Sequence, residues 1–349
     1  MKRSLVALAA LAVVGAASAQ SSVTLFGVVD ATLAFGNGDV SNKTQLTNSG
    51  YNSSRLGFRG VEDLGGGLKA SFHLEGGVAN DNGAGAATNT NNQATGGALA
   101  GSNGGQGFTF NRKSVVSLLG GFGELRLGRD YTPQFWSFTV YDPFGTNGVG
   151  TTRALSGSAG GVTIVRASNS IGYISPKLSG FGIWAQTYFG ENASNAASQA
   201  GDGSAIRLTY DNGPLSLGLA YSKTTTGAGT DVQTTNVGGS YDMKVAQLMA
   251  FYNKDANTGA KDVTGYTLGA LVPMGAGTVR VSFSNTDNGT SKVDQFALGY
   301  VYDMSKRTAL YGTFATVNNS GGAAAALNGA TTAVNGSSTG VDLGIRHAF

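Results

Sequence analysis

The chain has 349 residues, a formal net charge of +3 and no cysteine, which excludes disulfides and thiolate metal sites. Its 56 glycines and 5 prolines, without a collagen period, favour a turn-rich all-β protein whose strands keep their backbone donors. Two of the 23 basic residues lie in the N-terminal leader, so 21 remain against 20 acidic residues, and this balance gives no support for nucleic-acid binding.

The N-terminus has the order of a secretory signal peptide. Lys2 and Arg3 precede an apolar stretch over residues 5–17, and Ala17-Ser18-Ala19 offers small residues for cleavage. This order predicts a cleaved signal peptide over residues 1–19, with a buried N-terminal helix as the alternative. After it, no stretch reaches the ~18 apolar residues that a membrane-spanning helix needs, so spanning would require a closed β-barrel.

Beyond the leader, short segments alternate apolar and polar side chains. In residues 68–75 every second residue is apolar, and the others are a lysine, a serine, a histidine and a glutamate. In a strand these two sets point to opposite faces, which suits a wall between lipid and water. We count about sixteen such segments, which predicts a transmembrane antiparallel β-barrel. The clearest segments are 23–32, 55–59, 68–75, 124–128, 206–211, 215–222, 279–284, 295–303 and 341–349.

Two segments are ambiguous, because residues 181–189 and 245–252 carry large apolar side chains on both faces. An ordinary sandwich strand explains this pattern, and so does a wall segment that faces a neighbouring subunit.

The connections come in two sizes, which is typical of outer-membrane barrels with short periplasmic turns and long extracellular loops. The short turns cover residues 63–66, 120–123, 211–214 and 242–244, and the long polar loops cover residues 79–107, 131–161 and 317–338. No linker separates independent domains, so we expect one barrel over residues 20–349.

Three stretches resemble the Gram-negative general porin family, most closely its anion-preferring β-proteobacterial branch. They are Ser22-Val23-Thr24-Leu25-Phe26-Gly27-Val28-Val29-Asp30, the strand-turn-strand sequence over residues 54–70, and Phe122-Gly123-Glu124-Leu125-Arg126-Leu127-Gly128-Arg129-Asp130-Tyr131. The last strand, which ends in Phe349, is similar to the signal that the barrel-assembly machinery reads in this family.

The resemblance implies a homotrimer of sixteen-stranded barrels, each narrowed by a third loop, here about residues 131–161, that folds inward. It also implies a row of arginines on the pore wall that faces acidic or backbone groups on this loop. The matching residues are Arg55, Arg112 and Arg166, with Arg126 as a further candidate because it shares the inward phase of its strand. Asp142 is the acidic candidate on the loop. Pairing of these arginines with turn carboxylates such as Glu62 or Asp63 is the alternative.

We therefore expect a passive outer-membrane diffusion channel for small hydrophilic solutes and ions, in contact with outer-membrane lipid. Arginines at a narrow point favour anions, so we expect mild anion selectivity. The alternatives are a substrate-selective channel with saturable binding, and a surface barrel without conductance that acts as an adhesin or structural anchor.

The sequence predicts no catalytic residue, cofactor or metal site. No nucleophile motif such as G-x-S-x-G stands out, so we do not expect an enzyme. The two histidines, His73 and His347, have no short spacing that would favour a metal site. We expect His73 to face the lumen and His347 to lie on the lipid-facing side of the last strand.

Overall fold

The computed structural model describes residues 22–94 and 106–349, so the predicted signal peptide over residues 1–19 lies outside the described residues. The strands are β1 (Ser22–Gly38), β2 (Lys43–Asn48), β3 (Arg55–Gly65), β4 (Leu68–Ala79), β5 (Ala84–Gly85), β6 (Lys113–Gly120), β7 (Gly123–Tyr131), β8 (Arg166–Ile174), β9 (Phe181–Tyr188), β10 (Gly203–Asn212), β11 (Leu215–Gly227), β12 (Thr230–Asp242), β13 (Gln247–Asn257), β14 (Val263–Met274), β15 (Gly277–Asp287), β16 (Lys292–Asp303), β17 (Thr308–Ser320) and β18 (Ser337–Ala348). The helices are α1 (Pro133–Val140) and α2 (Arg153–Ser156), followed by a 3-10 turn (Gly161–Thr163). Among the described residues, no helix has the length and apolar content needed to cross a membrane.

The strands form one closed antiparallel barrel, because β1 pairs with β18 on one edge and with β2 and β3 on the other. The second wall position is divided: residues 31–36 of β1 pair with β2, and residues 22–28 pair with β3. The two-residue strand β5 pairs with the end of β4. The wall therefore has sixteen positions among the described residues, which confirms the predicted fold.

Alternation along the strands separates a lipid-facing surface from a polar lumen. In β1, Leu25 and Leu33 are exposed on the outer surface, whereas Asp30 and Thr32 are fully buried inside the barrel. Exposed apolar side chains recur on the outer faces of the other strands, for example Leu127, Leu219, Leu268, Phe296 and Leu343. A continuous apolar surface of this kind suits contact with lipid, and the predicted phase of the strands is confirmed.

The two ambiguous segments have apolar residues on both faces because the inner face contacts α1. On β13, the ring of Phe251 lies 4.7 Å from the ring of Phe138, measured between centroids. On β9, the ring of Trp184 lies 6.3 Å from that of Trp136. A barrel strand can therefore be apolar on its lumen side when a helix covers it from inside.

We expect Phe251→Ala to loosen α1, because burying a phenylalanine typically contributes about 3–5 kcal/mol and Phe138 would lose its aromatic partner. The variant should unfold at a lower temperature, which can be measured from the change of its electrophoretic mobility on heating in detergent. Its current in a planar bilayer should also be noisier than that of the wild type. Phe283→Ala is the matched control, because Phe283 is exposed on the outer face of β15. Equal behaviour of the two variants would contradict the packing described here.

Candidate functional site

The connection between β7 and β8, residues 132–165, folds into the barrel and lies along the inner wall from β10 to β18. It extends four residues beyond the predicted end at residue 161, because the 3-10 turn continues the loop to the start of β8. Lumen-facing side chains hold it in place. The anchoring hydrogen bonds are Arg207 Nε to Ser137 Oγ (2.9 Å), Asn236 Nδ2 to Gln134 O (3.1 Å), Gln295 Nε2 to Thr151 O (2.9 Å), and Val149 N to Asp342 Oδ2 (2.8 Å).

The local sequence explains why this loop contains a helix. Pro133 occupies the first turn of α1, where its missing N–H costs nothing and its fixed φ suits the helix. Phe135 and Phe138 then form the buried face of α1, and they cluster with Tyr141 and Phe251. The loop is therefore fixed by apolar packing near its beginning and by hydrogen bonds further along.

Because the loop covers one side of the lumen, a cavity of about 720 Å³ lies between it and the wall from β3 to β10. The cavity side of the loop presents uncharged residues, including Trp136, Thr139, Thr146 and Asn147. The wall opposite is charged. Its charged lining residues include Arg55, Glu75, Arg112, Arg126, Asp130 and Arg166.

Arg112 and Arg166 share one tyrosine. Their Nη2 atoms donate to the hydroxyl of Tyr131 at 2.6 and 2.8 Å, and Arg166 Nε donates to the backbone carbonyl of Arg112 at 3.0 Å. The guanidinium of Arg166 lies 4.4 Å from the centroid of the Tyr131 ring, within the range of a cation–π contact. The tyrosine thus holds two like charges side by side, although they repel each other.

Glu75 joins Arg55 to this pair. Its Oε1 lies 2.5 Å from Arg112 Nε, and its Oε2 lies 3.7 Å from Arg55 Nε and 3.4 Å from His73 Nε2. Arg55 Nη1 also donates to the backbone carbonyl of Ser53 at 2.9 Å. The structure therefore brings Arg55 and Arg112 to a single carboxylate and places Arg166 beside Arg112 through Tyr131. His73 faces the lumen, as predicted.

Arg126 lies on the same wall, but its charge is compensated. Its Nε and Nη2 donate to the two carboxylate oxygens of Glu124 at 2.8 and 3.0 Å, and its Nη1 donates to Asp130 at 2.9 Å. Bidentate pairs of this kind are strong and geometrically specific. Arg126 consequently adds little net positive charge to the cavity.

Asp142 lies on the loop, as predicted, but it forms no ion pair with Arg55, Arg112 or Arg166, and the arginine whose charge acts on it is Arg280. It is buried, and its carboxylate accepts hydrogen bonds from the backbone N–H groups of Phe144 (3.0 Å), Thr146 (3.0 Å) and Thr152 (3.2 Å). Burial raises the pKa of Asp142 to about 6, although the three backbone donors act in the opposite direction. Asp142 therefore organises the turns of the loop.

The sequence did not single out Glu75 or Tyr131 as site residues, and it suggested Glu62 or Asp63 as partners of the arginines. Glu75 shares the inward phase with His73, so its lumen position was available from the alternation. Its pairing with Arg112 depends on the register between β4 and β6, which places Glu75 opposite Lys113. Glu62 and Asp63 lie exposed near the turn, and Arg55 contacts Glu75 instead.

His347 lies on the outward phase of β18, where its Nδ1 is 2.9 Å from Thr308 Oγ1. Within residues 22–94 and 106–349, no group of three or more histidine or carboxylate side chains could hold a metal ion.

Comparison with known proteins gives consistent matches along the chain. The sequence model of the family described as Gram-negative porin matches residues 5–322. Outer membrane porin protein 32 of Delftia acidovorans is 40% identical over 100% of both chains, and an outer membrane porin protein of Bordetella pertussis is 31% identical over the same share. Among solved structures, an anion-selective porin from Comamonas acidovorans is 38% identical, covers 95% of this chain and 100% of its own, and superposes with a TM-score of 0.80.

We expect Asp142→Ala to destabilise the loop without changing ion selectivity. It would leave three backbone N–H groups without their acceptor, and each buried unsatisfied group costs about 1–3 kcal/mol. Current recordings should show a less stable open level, whereas the reversal potential under a salt gradient should stay unchanged. Asp63→Ala is the control, because Asp63 accepts one hydrogen bond in an exposed turn. A large change of reversal potential in Asp142→Ala would contradict this assignment.

Proposed function

Because the chain belongs to the Gram-negative porin family, we propose that the cavity beside its inner loop is the constriction of a water-filled pore that prefers anions. The protein is a passive outer-membrane channel for small hydrophilic solutes. Arg55, Arg112 and Arg166 would form the charged side of the constriction, and the uncharged face of the loop would form the other. Asp142 and Arg126 would contribute shape and rigidity more than charge.

One observation carries the anion preference: Arg55 and Arg112 share a single carboxylate, Glu75, and Arg166 is held beside Arg112 by the hydroxyl of Tyr131. The local balance is two positive charges, although the mature chain is almost neutral. Charges at a narrow point act on a passing ion within a few ångströms, whereas charges further away are screened beyond about 8 Å at physiological salt. The solved relative from Comamonas acidovorans is itself described as anion-selective.

The open cavity favours a channel over a plugged surface barrel. The loop is attached to the wall from β10 to β18, and about 720 Å³ stays free between it and the opposite wall. Diffusion through such an opening needs no chemical step, so we infer no catalysis.

We further propose that the mature chain begins at Gln20 and assembles as a homotrimer after insertion by the barrel-assembly machinery. Phe349, which follows the last strand, would be the residue that this machinery recognises; in the folded chain its backbone N–H and carbonyl each bond to Gly27 at 3.1 Å and complete the seam of the barrel. N-terminal sequencing of the membrane-extracted protein tests the cleavage site, and chemical cross-linking in the membrane tests the trimer.

The charged wall is tested by the reversal potential of the protein in a planar bilayer under a potassium chloride gradient. The wild-type potential should indicate anion preference, and Arg55→Glu should shift it towards cations. Two units of charge at about 7 Å from the ion contribute about 1 kcal/mol in water, which salt reduces to roughly a threefold change of the permeability ratio.

Arg59→Glu is the matched control for this experiment. Arg59 lies on the same strand and the same face, four residues or about 13 Å along β3, where its guanidinium stacks on Phe26. Its charge reversal should change the potential much less. A cation-selective wild type would contradict the assignment of the constriction residues, but it would agree with the proposal that the protein is a pore.

A further inference from the structure

A second arginine–tyrosine unit lies in the lumen beside the proposed constriction. The guanidinium of Arg280 on β15 lies 4.4 Å from the centroid of the Tyr51 ring, and that of Arg346 on β18 lies 5.3 Å from the same centroid. The two charged groups are therefore within about 10 Å of each other, where like charges still repel in water. The arrangement repeats the one that Tyr131 makes with Arg112 and Arg166.

This second unit differs from the first because none of its arginines is in ion-pair contact with a carboxylate of the described residues; Asp142 and Asp303 act on Arg280 only from a greater distance. Arg112 and Arg126 are both in ion pairs, but no carboxylate of the described residues lies within ion-pair distance of Arg280 or Arg346. The Nε atoms of both are buried and have no hydrogen-bond partner, and Arg346 Nη1 donates to the backbone carbonyl of Arg307 at 3.1 Å. Guanidinium groups that are held near each other without an ion-pair partner indicate a place where an anion from solution is stabilised.

Tyr51 is held firmly enough to organise such a place. It lies in the segment that interrupts the wall between β2 and β3, and its backbone N–H donates to the buried carboxylate of Asp30 at 2.9 Å. Its ring packs beside Tyr311 at 5.7 Å between centroids. The ring thus has a fixed position in the lumen, and the two guanidinium groups are ordered against it before any ligand arrives.

The height of this unit in the barrel matches that of the first. In the register of β1, Arg346 lies opposite Asp30 on one side, and Arg55 lies opposite Val28 on the other. The two sets of arginines therefore approach the lumen at neighbouring levels, along an arc of the wall that runs from β15 through β1 to β8.

We infer that Tyr51, Arg280 and Arg346 form a second anion-binding site, which takes a small oxyanion such as a phosphate or carboxylate group. An oxyanion here accepts hydrogen bonds from two planar guanidinium groups and neutralises their mutual repulsion. The inference rests on the proposed anion-preferring pore, because it requires that anions reach the lumen. The second site is an additional anion-binding site, separate from the cluster of Arg55, Arg112 and Arg166.

Inorganic phosphate is the probe. We expect it to reduce the chloride current of the wild-type channel saturably at low, fixed potassium chloride. The double variant Arg280→Gln with Arg346→Gln should raise the half-inhibitory phosphate concentration roughly tenfold or more, since loss of one charge-assisted hydrogen bond is enough for that. Tyr51→Ala should act in the same direction, because it removes both the ring and the hydroxyl that contact Arg280.

Arg59→Gln is the matched control, because Arg59 also stacks on a lumen-facing ring but lies towards the end of β3. It should leave the half-inhibitory concentration unchanged. If the double variant does not insert into the bilayer, Arg280→Gln alone should give a smaller rise in the same direction.

An unchanged half-inhibitory concentration in the arginine variants overturns the second site. If Arg55→Gln raises the half-inhibitory phosphate concentration and the Arg280 and Arg346 variants do not, phosphate binds only at the cluster of Arg55, Arg112 and Arg166. The proposed anion-preferring pore is then retained. A wild-type current that phosphate does not reduce also overturns the second site. The reversal potential of that same channel then decides the proposed function independently.

Discussion

A backbone N–H or carbonyl without a partner costs several kcal/mol in the hydrocarbon of a membrane, so closure of the sheet is the constraint on which the rest of this structure depends. Closure occurs where β1 meets β18, from the pair Val28–Ala348 to the pair Gly38–Ser338. Phe349 then completes the seam through its two bonds to Gly27. Only glycine fits at that position, because a Cβ atom on Gly27 would lie 2.3 Å from the Phe349 ring and 2.8 Å from the Arg55 carbonyl.

Closure turns the polar faces of the strands inward, and the inner loop uses many of the acidic groups found there. Asp255 accepts hydrogen bonds from Ser158 Oγ at 2.5 Å and from Ala159 N at 2.9 Å, and Asp342 accepts one from Val149 N. Asp142 does the same within the loop. Carboxylates engaged with loop groups do not neutralise the arginines elsewhere, so a nearly neutral chain can have a strongly basic passage. Local placement of charge, and not net charge, sets the field in the lumen.

Both arginine–tyrosine units solve one physical problem: they keep like charges close together in a narrow lumen. A tyrosine ring offers its negative face to one guanidinium, and its hydroxyl accepts from others, as Tyr131 does. The first unit has an ion-pair partner in Glu75, whereas no carboxylate of the described residues lies within ion-pair distance of the second. An anion from solution therefore meets groups that are already positioned and only partly compensated.

The wall position shared by β2 and β3 shows where the alternation of apolar and polar residues does not predict the structure. Residues 43–48 carry no clear apolar pattern, and β2 forms because β1 is long enough to offer them a partner. The segment after β2 leaves the wall because Asp30 binds the backbone N–H groups of Tyr51 and Asn52 at 2.9 and 2.6 Å. A carboxylate that binds a distant turn leaves no periodic signal in the sequence. The second unit was therefore not predictable, because it depends on the position of Tyr51.

The sequence by itself determined the barrel, the sixteen wall positions and the phase of each clear strand, because a period of two records which face meets lipid. It also identified Arg55, Arg112 and Arg166 through a resemblance carried by short motifs. Only the tertiary structure decided which groups pair across strands, because Glu75 and Asp342 meet their partners through strand register and loop docking. The compensation of Arg126 is local, because Glu124 and Asp130 lie two and four residues away on the same strand. Only the structure decided that Asp142 binds the backbone of its own loop. Pairing between residues far apart in the chain is a property of three-dimensional packing, and no local pattern encodes it.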